Sequence, residues 1–140
     1  MITKTGLHAV RAMVALAQLP EGSYAGAARI AQEIGAPQNY LGKLLQNLAR
    51  AGLVQSQKGL GGGFRLARPA HTISLLDVVD PIEHISRWAG CILGRGECSD
   101  EHPCAIHDRW KKVRNAYVQM LHQTTIADLV ARGELEVNLA

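Results

Sequence analysis

Residues 37–68 read PQNYLGKLLQNLARAGLVQSQKGLGGGFRLAR, and two patterns follow one another within them. Tyr40, Leu41, Leu44, Leu45 and Leu48 recur at helical spacing, which predicts an amphipathic helix. Pro37 suits its first turn, where a missing N–H costs nothing, and Gly52 suits a left-handed cap at its end. The pattern then changes. Leu53 and Val54 open a short strand, Gly59-Leu60-Gly61-Gly62-Gly63 makes a tip, and Phe64-Arg65-Leu66 returns, which predicts a β-hairpin.

Working outward toward the N-terminus, Leu7, Val10, Met13, Val14 and Ala17 predict an amphipathic helix over 5–19, ended by Pro20 and Gly22. A second helical segment runs through Ala27 to Ile34, with Gly35 as its stop. Two short helices joined by a turn of about three residues make a helix-turn-helix. Gln38, Asn39, Gly42 and Lys43 face outward on the second of them. Gln, Asn and Lys side chains can hydrogen-bond base edges in a major groove, and Gly42 lets the backbone come close. Tyr40 is placed with Gln38, Asn39 and Lys43 in the predicted DNA-facing set. Helix-turn-helix spacing alone also fits a small solvated bundle, but a hairpin directly after the second helix fits a wing. There Gly61 and Gly62 allow close approach to phosphate or a minor groove, while Lys58 and Arg65 neutralise phosphate charge. A nucleotide-cradling loop fits less well, because no helix follows GLGGGF and no Lys-Ser/Thr pair closes it.

The charge balance agrees with this division. Residues 1–70 hold eight Lys/Arg against Glu21 and Glu33, a net +6, whereas residues 71–140 hold seven basic and ten acidic side chains, a net −3. A basic half followed by an acidic one suggests that the first half meets a polyanion. With 47% hydrophobic residues in 140, the chain can bury a real core, and no apolar run approaches the roughly 20 residues of a membrane span. His8 and Arg11 interrupt the would-be apolar core of a signal peptide. The expectation is a cytoplasmic protein with reduced thiols.

All three cysteines fall between residues 91 and 107, in CILGRGECSDEHPCAIH. Cysteine concentrated in this way is more often a metal or redox site than a disulfide framework. Cys91, Cys98, Cys104 and His107 supply four ligands, with Cys104 and His107 three apart at the start of a helix predicted to begin at Pro103 or Cys104. Glu97, Asp100, Glu101 and His102 read as loop surface. An iron–sulfur cluster, a structural Cys₃His zinc and a metal-free thiol switch all fit these residues. Before the loop, Ser74-x-x-Asp77 predicts a helix N-terminus, Pro81 a break or kink, and Trp88 a packing residue. After it, Ile106, Trp110, Val113, Tyr117 and Met120 form a heptad-like seam. Thr125-x-x-Asp128 predicts a last short helix, and GELEVNLA a frayed polar tail. No Ser/His/Asp arrangement or catalytic carboxylate pair is found, so an enzyme is not expected.

The run from Asn39 to Arg68, the opening ITKTGLHAVRAM and the cysteine loop together resemble the IscR and NsrR family of winged-helix repressors (the Rrf-two family) over nearly the whole chain. The resemblance implies a mainly α fold: a winged helix-turn-helix with a two-stranded β wing and a long C-terminal dimerisation helix. It divides the chain into 1–70 for DNA binding, 71–90 as a connecting helix, 91–107 as a cluster-binding loop, and 108–140 as dimerisation helix and tail. IscR-like members have a His three residues after the third Cys and a Trp three further on, matched here by Cys104, His107 and Trp110. That implies a 2Fe–2S cluster on Cys91, Cys98, Cys104 and His107, although the Cys91–Cys98 interval is one residue longer than in that pattern. NsrR-like members carry a 4Fe–4S cluster with an acidic ligand from the partner's first helix. The corresponding position here falls at Leu7, which cannot ligate, so 4Fe–4S stands as the alternative. The expected partners are a pseudo-palindromic duplex operator and a second copy of the chain, with no membrane.

Overall fold

The computed structural model describes residues 2–85, 92–93, 100–133, 135, 137 and 139. Helix α1 (Lys4–Ala17) begins where the Thr3 hydroxyl accepts from the Gly6 N–H at 3.1 Å. The sequence predicts an amphipathic helix there, but His8, Ala9, Val10 and the run from Ala12 to Leu16 are all buried. Helices α2 and α3 pack on this helix, and so do α4 and α6. A helix covered from several directions is buried nearly all round, and α1 is the core's central rod.

Helix α2 (Ala27–Ile34) ends at Gly35, whose φ of +71° is open to glycine at little cost. Helix α3 (Gln38–Arg50) follows, with Pro37 as its N-cap rather than inside its first turn. Leu41, Leu44, Leu45 and Leu48 bury one face of it, and Tyr40 is half-buried at the edge. Strands β1 (Val54–Gln57) and β2 (Gly63–Leu66) pair antiparallel, Val54 opposite Leu66 and Gln57 opposite Gly63. The hairpin is tied to the segment leading into α2, because Phe64 and Ala25 exchange both backbone hydrogen bonds, at 2.8 and 2.9 Å.

A single 3₁₀ turn (Ala70–Thr72) leads to α4 (Leu75–Glu83), which opens with a complete capping box of Ser74 and Asp77. Pro81 does not break this helix. It sits in the last turn, and the helix ends at His84, which adopts φ +54°. Helix α5 (His107–Gln123) starts at His107, not at Pro103 or Cys104, and the three preceding residues form the turn that carries the chain into it. Helix α6 (Ile126–Arg132) opens with the predicted capping box of Thr125 and Asp128. The starts of α4 and α6 lie side by side, joined by Leu75 N–H to Thr124 O at 2.8 Å and Ile126 N–H to Ile73 O at 2.9 Å.

The expectation of a frayed tail does not hold for its described residues 135, 137 and 139, none of which is exposed. Val137 and Leu139 are buried, the Gln18 side chain donates to the Val137 carbonyl, and Arg29 donates to the Leu139 carbonyl at 2.7 Å. Leu135 packs against the same core in which Val137 and Leu139 are buried. The predicted seam of α5 also divides. Tyr117 and Val118 pack against the core beside fully buried Leu121, while Val113 and Met120 stay more than half exposed. Burial, and then the Glu83 carboxylate, pushes the Tyr117 phenol above its ordinary pKa, consistent with α5 lying against the end of α4. No helix among the described residues is long and apolar enough to cross a membrane.

Candidate nucleic-acid interface and metal-binding loop

The four leucines that fix α3 to the core leave its opposite face in solvent. Gln38, Asn39 and Lys43 are exposed there, and Gly42 is half-buried with open space where a Cβ would stand. They border an open groove of about 680 Å³ that runs along α3 to the edge of Phe64 on the wing. Gln46, Asn47 and Arg50 continue the same wall. Sequence reasoning passed over these three, although they stand three, four and seven residues beyond Lys43 and so share its face. Arg50 is held in place by the Asn47 side-chain carbonyl at 2.9 Å. The groove is lined by amides, one ammonium and one guanidinium, donors and acceptors of the kind that base edges and phosphates bond.

Tyr40 turns partly inward. Its hydroxyl lies 3.4 Å from Nδ1 of His8 on α1, with the two rings edge to face at 5.6 Å. Burial, then Lys4 and Arg11, lowers the His8 pKa, which favours the neutral ring beside Tyr40 of α3.

The wing splits its predicted residues. Lys58, Gly61 and Gly62 are at or beside the tip, and the turn is closed by Gly62 N–H to Gly59 O at 3.1 Å. Arg65 is not at the tip. It lies within β2 opposite Gln55, donates to that side chain at 3.0 Å, and places its guanidinium 4.6 Å from the Tyr24 ring centre. Since Phe64 edges the α3 groove, alternation along β2 sends Arg65 to the other face of the hairpin. There it borders a second depression with Arg68, and Arg68 is paired to Asp77 at 2.8 Å. Lys58 and the tip glycines therefore belong with the wing's leading edge, and Arg65 with its outer flank.

In the cysteine loop, Cys91, Cys98, Glu97 and Trp88 lie outside the described residues. Cys104 is half-buried, and its carbonyl accepts from the His107 N–H at 3.1 Å, so the two potential ligands are one turn apart immediately before α5. His107 is buried. Its Nε2 meets Asp100 Oδ1 at 2.7 Å, and Lys111 reaches both carboxylate oxygens at 3.2 Å. The His107 hydrogen bond, and after it Lys111, holds the Asp100 carboxyl below the usual range. Asp100 is loop surface, as its exposure shows, and from there it also pairs with His107. Among the described residues no three His, Cys, Asp or Glu side chains gather into a metal set. His107 would ligate through Nε2 only by exchanging its bond to Asp100.

Residues 2–132 match the family described as Rrf2, iron-dependent transcriptional regulator. The chain is 31% identical over 134 residues to the HTH-type transcriptional regulator IscR of Vibrio vulnificus, covering 96% of this chain and 79% of that protein. It is 37% identical over 137 residues to protein aau3 of Rhizobium meliloti, covering 92% and 84%. Among solved structures it is similar to CymR, the global cysteine regulator of B. subtilis (TM-score 0.79, 26% identity, 94% and 97% coverage). It is also similar to T. potens IscR, with a TM-score of 0.77, 26% identity and 95% and 88% coverage. The family model and the IscR relative are described as transcriptional regulators, and CymR as a regulator. The winged helix, the groove on α3 and these likenesses together place the chain in the Rrf2 family of DNA-binding transcription regulators.

Proposed function

We propose that this protein is a homodimeric, cytoplasmic repressor whose operator affinity is set by an iron–sulfur cluster on Cys91, Cys98, Cys104 and His107. It senses iron and cluster status, nitric oxide or redox stress. The observation that carries the reading is the position of Cys104 and His107, one turn apart at the root of α5, in a chain whose sequence resembles IscR-like regulators. The family's description as iron-dependent and the likeness to two IscR proteins support it. A cluster bound there supplies a redox-sensitive tie between the loop and the start of α5.

The chain's own residues carry the rest. Gln38, Asn39, Lys43 and the Gln46–Arg50 wall read a major groove, and Lys58 with Gly61 and Gly62 sets the wing on the adjacent minor groove. Residues 1–70 act as the DNA-binding unit, 71–90 as connector, 91–107 as sensor and 108–140 as dimer arm. The sensor loop follows the connector, whose helix α4 ends at Glu83; that carboxylate accepts from the Thr3 N–H at 2.6 Å and so caps α1. The loop returns at His107, the first residue of α5. A change in the loop therefore pulls on the rod beneath α3 and on the dimer helix together. Two half-sites have fixed spacing, so a small shift of one recognition helix against the other weakens specific binding.

A second reading has one observation in its favour. Asp100 already occupies Nε2 of His107, which suits a form in which that His is not a ligand. The loop would then hold zinc on other donors or act through its thiols.

Anaerobic purification followed by an absorption spectrum and metal analysis separates these readings. About two iron and two sulfide per subunit with a structured visible spectrum support 2Fe–2S, and about four iron with a broad band supports 4Fe–4S. A colourless protein, with or without zinc, contradicts the cluster.

A further inference from the structure

We propose that Leu60 is an apolar wedge that enters the minor groove and partly unstacks one base step beside each half-site. This rests on the wing placement proposed above. Leu60 is the most exposed large hydrophobic side chain described, at 107% of its reference area. It stands between Gly59 and Gly61, both left-handed at φ +91° and +76°, so no neighbouring side chain shields it.

The tip that carries it is braced. A Cβ at Gly62 would collide with the Gln57 carbonyl, and one at Gly63 with the Ala25 carbonyl. The wing thus packs backbone to backbone on its own partner strand and on the lead into α2, which fixes the base of the tip that carries Leu60. A rigid presentation reduces the ordering cost of binding.

The surroundings choose the partner. The exposed neighbours of Leu60 along the hairpin, residues 55–61, are otherwise glycine, amide, hydroxyl and Lys58, a polar setting unlike the apolar surround that a protein interface or a lipid surface would use. A minor groove about 6 Å wide admits a tip made of glycine with one side chain, and its phosphate walls suit Lys58. Apolar side chains delivered to a minor groove insert between base pairs and kink the duplex. Pyrimidine–purine steps unstack most readily, so the wing adds a preference for TA or CA at a position that no hydrogen bond reads.

The test begins with operators selected by the anaerobically purified wild-type protein from a random duplex pool. 2-Aminopurine is then placed at the wing-facing step. Wild-type binding should raise its fluorescence. Leu60→Ala, at a site that contacts nothing in the fold, should lose that rise, bind roughly five- to fiftyfold more weakly and keep the wild-type salt slope. Lys58→Ala should keep the fluorescence rise and lower the salt slope by about one. Leu60→Ala binding within about twofold of wild type, with the fluorescence rise intact, overturns the wedge and leaves the DNA-binding reading standing. Failure of the wild-type protein to select any duplex overturns both.

Discussion

A methyl group added at Gly62 would fall well inside the van der Waals contact distance of the Gln57 carbonyl oxygen, and one at Gly63 inside that of the Ala25 carbonyl oxygen. Gly63 also has φ +133°, where an L side chain is strained. Gly63→Ala should therefore lower stability by about 1–3 kcal/mol in urea denaturation and displace the wing. His8 gives a pH prediction whose sign is fixed by its lowered pKa. As pH falls, the unfolded chain takes up the proton first, near its ordinary pKa of about 6.5. The stability present above that pH is then lost progressively until the folded-state pKa is passed. His8→Gln should flatten the loss of stability between about pH 7 and pH 5 measured by denaturant titration. An unchanged profile would show that burial against Tyr40 does not control this titration. At this scale the sequence was uneven. Spacing alone singles out Cys104 and His107, because one turn brings them together. The Asp100–His107 contact and the Arg65–Tyr24 stack depend on how separate segments meet, and no local pattern encodes either.

Helix ends were the most legible elements, because local chemistry decides them. Gly35 and Gly52 take the left-handed caps that their positions predict, and both capping boxes form. Ser74→Ala and Thr125→Ala should each cost about 1 kcal/mol of unfolding free energy. The two helix starts share backbone hydrogen bonds, so the double variant should depart from additivity in a double-mutant cycle. Elements whose fate depends on distant packing are not encoded in any local pattern. Helix α1 looks amphipathic but is covered from several sides. The tail looks polar by composition, yet Leu135 packs against the core in which Val137 and Leu139 are buried. Leu139→Asp should destabilise the chain by about 2 kcal/mol or more, since the residue is 2% exposed. A denaturation midpoint equal to wild type would mean that the tail contributes nothing.

For the whole molecule, the basic first half is spread over more than one face: Lys43 and Arg50 line the α3 groove, Arg65 and Arg68 the other flank of the wing, and Arg29 binds the tail. Residue periodicity reveals α5 as long and amphipathic. It does not reveal that the core takes Tyr117, Val118 and Leu121 while Val113 and Met120 stay exposed on the other side. That exposed pair, with Ala116 between them, is the stripe to which the proposed partner subunit would pack. Met120→Glu should shift sedimentation equilibrium toward monomer and weaken operator binding, because a half-site alone forfeits the second recognition helix. The central claim joins the two ends of the molecule: the loop at the root of α5 controls the grip of α3. It is tested most directly by measuring, at one fixed salt concentration, operator affinity of the anaerobically purified protein, of the same protein after cluster removal, and of Cys104→Ala. The account predicts that the first differs from the other two by at least about tenfold, with all three remaining folded dimers. Equal affinities for all three would leave a DNA-binding winged helix and remove the sensor.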